Sequence, residues 1–120
     1  MKRIYSISLF VGLTLAVMVA AAASRGHLAS GRPKSAPPTE IKIDNFSFAP
    51  IKVTVPAGST VKWTNRDDIP HTVVSEDTVT FKSQVLDTDQ EFTHTFHKAG
   101  TYRYFCSVHP RMTAEIVVTE

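Results

Sequence analysis

Cys106-Ser107-Val108-His109-Pro110-Arg111-Met112 is the stretch that most restricts the fold. It lies between two runs of strand type. Tyr102, Tyr104 and Cys106 share one face of an incoming strand, and Ala114-Glu115-Ile116-Val117-Val118 reads as the closing strand. Between them stand a thiol, an imidazole and a thioether spaced C-x2-H-x2-M, interleaved with serine, proline and arginine. A link so polar and so turn-rich is not core. It joins two strands and carries three metal-binding side chains at its tip.

Taken singly, each of these residues has a bland explanation. Cys106 could be a small buried hydrophobe, Met112 a core residue and His109 a surface residue. The joint pattern argues otherwise. Thiolate and thioether are soft ligands and imidazole is intermediate, a set that suits copper far better than magnesium or calcium. A blue-copper site takes two histidines, one cysteine and a weak axial methionine. The missing histidine has to come from upstream. His71, in Ile69-Pro70-His71-Thr72-Val73-Val74, follows a turn signal and opens an apolar run. The candidate ligand set is therefore His71, Cys106, His109 and Met112. Zinc would bind the same donors in isolation.

Composition narrows the function further. A chain of 120 residues has room for one domain. Its formal charge of +2 hides a division along the chain. All 11 acidic residues lie from Glu40 onward, with eight of the 13 lysines and arginines, so this part is net negative by three. No basic patch with interleaved aromatics appears, which excludes nucleic acid as a partner. A balance so near neutral also argues against strong electrostatic steering. The single cysteine cannot form an internal disulfide, and a metal bond gives it a reason to be there.

The first 39 residues are expected to stand apart from the fold. Lys2-Arg3 is a positive n-region, Ile4 to about Ala20 is apolar, and Ala21-Ala22-Ala23 offers a small-residue cleavage site. Residues 1–23 read as a secretory signal peptide, with an uncleaved membrane anchor as the alternative. Residues 24–39 are rich in serine, glycine, proline and arginine and read as a disordered linker. Residues 40–120 form the folded domain.

Short strands separated by turn residues give this domain an all-β reading, a sandwich or barrel of about seven to eight strands. Ile41 and Ile43 alternate with polar residues, and Phe46 and Phe48 extend that spacing. Ile51, Val53 and Val55 do the same after Pro50, and Pro56-Ala57-Gly58-Ser59 turns the chain. Val61 and Trp63 share a face, with Trp63 as a core anchor. Residues 71–75 are expected to form a strand. Phe81 and Leu86 are expected to fold inward. Phe92, His94 and Phe96 alternate with Thr93, Thr95 and His97, which puts His94 on the apolar side as a hydrogen-bonded core residue and His97 in solvent. Two antiparallel sheets with Greek-key connections are expected.

Three stretches carry a family resemblance: the C-x2-H-x2-M loop, Val61-Lys62-Trp63-Thr64-Asn65-Arg66 with Pro70-His71, and Ala99-Gly100-Thr101-Tyr102-Arg103-Tyr104-Phe105-Cys106. Together they resemble the small cupredoxins, in the amicyanin, plastocyanin and pseudoazurin group, with the short ligand loop most similar to amicyanin. The resemblance covers about residues 40–120. It implies one type 1 copper ion, a periplasmic one-electron carrier that is not an enzyme, and His109 as the electron port near the surface. Val108, Pro110, Ile69 and Pro70 would form an apolar docking patch, with Arg111 selecting an acidic partner. The partners would be redox proteins met transiently by a monomer, with a membrane involved only if the leader is uncleaved. It further implies that Asn65 ties its loop to the Cys106 loop. Many members carry asparagine directly after the upstream histidine, where it braces the thiolate loop; here Thr72 stands in that place.

Two other readings remain open on the residues alone. A periplasmic copper carrier or store could use the same ligands, although the methionine- or histidine-rich tracts common in carriers are absent. A metal-free immunoglobulin-like module would echo Trp63 and Cys106, but the partner cysteine of its inter-sheet disulfide is missing.

Overall fold

The computed structural model describes residues 36–120. The signal-peptide reading and most of the linker reading lie outside the described residues. Eight strands follow in order: β1 (Thr39–Asp44), β2 (Ser47–Ala49), β3 (Lys52–Pro56), β4 (Ser59–Asn65), β5 (Val74–Ser75), β6 (Glu91–Phe96), β7 (Gly100–Phe105) and β8 (Thr113–Thr119). They form two four-stranded sheets, β2-β1-β4-β6 and β3-β8-β7-β5. Period-two alternation sends every second residue inward. Ile41 and Ile43 of β1, Val53 and Val55 of β3, and Ala114, Ile116 and Val118 of β8 are all buried between the sheets. Trp63 anchors this core, with the rings of Phe81, Phe92, Phe96 and Tyr104 at centroid distances of 5.5–6.5 Å. The far end is closed by backbone bonds from Ala57 to Thr119 and from Gly58 to Phe96, with Gly58 at φ +89°.

Four expectations are corrected. The sheets are mixed, because β1 pairs β4 in parallel and β3 pairs β8 in parallel. The chain changes sheet between these strands, and alternation records only which face is buried, not which way a neighbour runs. Phe46 does not continue the inward series. Asn45 and Phe46 have φ of 50° and 55°, and Asp44 pairs Ser47 across them, so they form the two-residue tip of a tight hairpin. Ile51 precedes β3 and is 66% exposed instead of inward. Residues 71–75 are not one strand. Only Val74 and Ser75 pair with β7, while His71 bridges Leu86 and the Val73 N–H donates to the Ser83 hydroxyl at 2.8 Å. The intervening Thr72 N–H is committed elsewhere, as described below.

Candidate metal centre

β7 ends at Phe105 and β8 begins at Thr113, and the ligand loop spans the gap. The loop is stitched to itself. Cys106 N–H donates to the Met112 carbonyl at 3.0 Å, His109 N–H to the Cys106 carbonyl at 3.2 Å, and Met112 N–H to the His109 carbonyl at 2.9 Å. Cys106 and Met112 are buried, while His109 is partly exposed. His71 arrives from the other sheet connection. Its N–H and carbonyl exchange hydrogen bonds with Leu86 at 3.1 and 2.8 Å, and its side chain is fully buried.

The donors of His71, Cys106 and His109 all lie within 4.8 Å of one another. Cys106 Sγ is 3.7 Å from His71 Nδ1 and 3.8 Å from His109 Nδ1. Sulfur and nitrogen ligands held at about 2.3 and 2.0 Å from one metal, in a trigonal arrangement, stand about 3.7–3.8 Å apart. Both sulfur–nitrogen separations thus match a metal held between the thiolate and each imidazole. A thiolate and two imidazoles, with a buried thioether in the same loop, are the donor set of a type 1 copper ion. His94 takes no place in this cluster. It packs between the rings of Phe81 and Phe96, at 5.1 and 4.8 Å, across from Val61.

The surroundings favour the ligating forms. Burial by itself would raise the Cys106 thiol. The Thr72 N–H, donating to Sγ at 3.3 Å, and the two imidazoles outweigh it and bring the thiol down to about 6. Thr72 also braces the loop: Ser107 N–H donates to its hydroxyl at 2.8 Å, and the two hydroxyls lie 2.7 Å apart. So Thr72 ties the segment after His71 to the Cys106 loop, with Ser107 as its partner there. Asn65 does not reach the Cys106 loop. Its side-chain amide donates to the carbonyls of Ile69 and Leu86 at 2.9 and 2.8 Å, and its Oδ1 accepts from Asp67 N–H. It shapes the loop that delivers His71.

Two residues of the site escaped sequence reasoning. Asp67 Oδ2 lies 2.7 Å from His71 Nε2. A carboxylate can only accept, so this ring nitrogen carries the proton and Nδ1 faces the thiolate as a free donor atom. Asp67 also accepts from the N–H groups of Asn45 and Phe46 at 2.7 and 3.1 Å. Burial opposes ionisation of this carboxyl, but the two amides and His71 prevail and hold it below its ordinary range. A carboxylate four residues before a candidate ligand histidine was the available signal. Phe46 stands perpendicular to both imidazole rings, at 5.0 Å from His109 and 5.9 Å from His71. A bulky residue in the left-handed region costs on the order of 1–2 kcal/mol, and the Asn45 beside it was the turn signal.

An eight-stranded sandwich with a Cys-His-Met tip and a distant buried histidine defines the blue-copper class of β proteins. The comparisons agree. A model described as "Cupredoxin-like domain" matches residues 10–118, and the chain belongs to that family. Amicyanin-alpha of Methylorubrum extorquens is 33% identical over 116 residues, which is 91% of this chain and 95% of that protein. Amicyanin of Paracoccus versutus is 36% identical over 84 residues, 65% of this chain and 62% of that protein. Among solved structures, a purple cupredoxin from Nitrosopumilus maritimus superposes with a TM-score of 0.62 at 32% identity, covering 68% of this chain and 99% of that one.

Proposed function

We propose that the protein is an exported, periplasmic one-electron carrier whose copper is held by His71, Cys106, His109 and Met112. The observation that carries this reading is the placement of Cys106 Sγ 3.7–3.8 Å from two imidazole Nδ1 atoms supplied by separate parts of the fold. Bound copper supplies a one-electron Cu(II)/Cu(I) step. The chain's part is to hold its donors still. His71 is fixed by the Leu86 bridge and by Asp67, and Cys106 by Thr72 and the self-bonded loop, so little has to move as the electron arrives. His109 is the partly exposed ligand and the natural port. Val108, Pro110 and Pro70 are exposed and Ile69 is half-buried, which supplies the apolar patch where redox proteins would dock briefly. Arg111 is exposed and would favour an acidic surface opposite it.

The test is to add Cu(II) to the metal-free protein and to Cys106→Ala. Intense blue colour in the first and none in the second is expected; equal spectra would end the proposal. Rapid, reversible reduction with the metal retained fits a carrier of electrons. Ready surrender of copper to a chelator, with sluggish reduction, fits a carrier of copper instead.

A further inference from the structure

Phe46 breaks two rules at once. A large apolar side chain normally avoids both solvent and positive φ, yet this one is 54% exposed at φ 55°. Burial does not explain it, and neither does turn preference. What its ring does touch is informative. It meets His109 at 5.0 Å and His71 at 5.9 Å, with interplanar angles of 89° and 88°. A perpendicular contact of this kind is a favoured aromatic arrangement and holds the ring beside its neighbours. The backbone beneath it is fixed as well, because Asp67 accepts from both N–H groups of the hairpin tip while its Oδ2 also meets His71 Nε2. One carboxylate thus joins the turn that carries the ring to the imidazole that the ring covers.

We propose that Phe46 is a fixed aromatic lid over the two ligand imidazoles, held in place by Asp67 as its positioning residue, and that it slows exchange of the bound metal with external ligands. The proposal rests on the copper reading above and extends it to the route by which other ligands reach the ion. His109 is the ligand that solvent can approach, so it is where replacement would begin. The Phe46 ring stands beside it. The lid occupies the hairpin tip and adds no bond to the metal, so it acts on the rate of exchange.

Phe46→Gly separates a lid from a structural turn residue, because glycine adopts positive φ freely. The full chain is loaded with copper, its blue colour is confirmed, the bound ion is reduced to Cu(I), and release is timed by the growth of the coloured Cu(I)–bathocuproine disulfonate complex. Phe46→Gly should release copper about tenfold faster, in the range seen when outer partners of metal ligands are removed. Phe46→Tyr should stay close to the wild-type rate. The metal-free Phe46→Gly protein should melt no lower than wild type. Release from Phe46→Gly at the wild-type rate would overturn the lid. Should that variant not fold, hydrogen exchange of the metal-free wild type decides: the Asn45 and Phe46 amides should exchange slowly despite their exposed turn, and free-peptide rates would refute the clamp. A wild-type protein that never turns blue would refute the copper reading itself, which is a separate failure.

Discussion

His71 and His109 are chemically identical side chains that face one thiolate from opposite settings. His71 is sealed in the interior, its backbone paired with Leu86 and its outer nitrogen held by Asp67. His109 sits in a loop tip, partly exposed, beside the Phe46 ring. The difference teaches that the site is built from a rigid half and an accessible half. The first half is fixed on every side, and the second is the half that solvent and partners can reach. The same asymmetry decides which half tolerates change.

The largest effect should come from exchanging the two histidines for glycine in turn. His71→Gly removes the partner of a buried carboxylate and opens a cavity, so the metal-free protein should lose at least about 2 kcal/mol in denaturant unfolding. It should bind no blue copper even with imidazole added. His109→Gly should change stability by less than about 0.5 kcal/mol, and free imidazole should restore the colour. Rescue of His71→Gly by imidazole would erase the distinction between the halves.

Thr72→Val comes next. It keeps the shape but leaves the Ser107 N–H without its acceptor, at a cost of about 1–2 kcal/mol. Since the brace joins the two halves, the variant's visible spectrum should shift as the thiolate loop loosens. An unchanged melting curve and spectrum would show that the halves are held together by packing alone.

The smallest effect concerns acid. Asp77 lies just beyond β5, and its carboxyl accepts from the Ser75 and Thr80 hydroxyls and from the Thr80 and Val79 N–H groups. These donors, Ser75 first, hold it far below the usual carboxylate range. A carboxyl with a depressed folded-state pKa stabilises above its unfolded value, near about pH 4, and loses that contribution as pH falls toward the folded value. Melting temperature should therefore fall more steeply below about pH 4 in wild type than in Asp77→Asn. Parallel curves would show that Asp77 contributes nothing to the acid sensitivity of the fold.

The accessible half was legible because its donors are contiguous. C-x2-H-x2-M is visible without knowing any contact, and alternation gave the buried face of β1 through Ile41 and Ile43 and of β3 through Val53 and Val55. The rigid half was legible only in outline. His71 could be chosen as the fourth ligand from its turn and apolar run, but Asp67 and the true partners of Asn65 depend on how one loop curls back on itself. Phe46 was misplaced because apolar spacing cannot register a two-residue turn that shifts everything after it. The parallel pairings were hidden for a related reason: direction is a property of distant neighbours, and a strand's own residues do not encode it.

The bond from Cys106 N–H to the Met112 carbonyl makes the ligand loop a clasped cassette. Its two ends grip each other directly beyond the Phe105–Thr113 pair, so whatever lies between them is insulated from strand alignment below. Such an arrangement leaves the number of residues within the clasp open to revision over descent, while the scaffold that presents it stays unaltered.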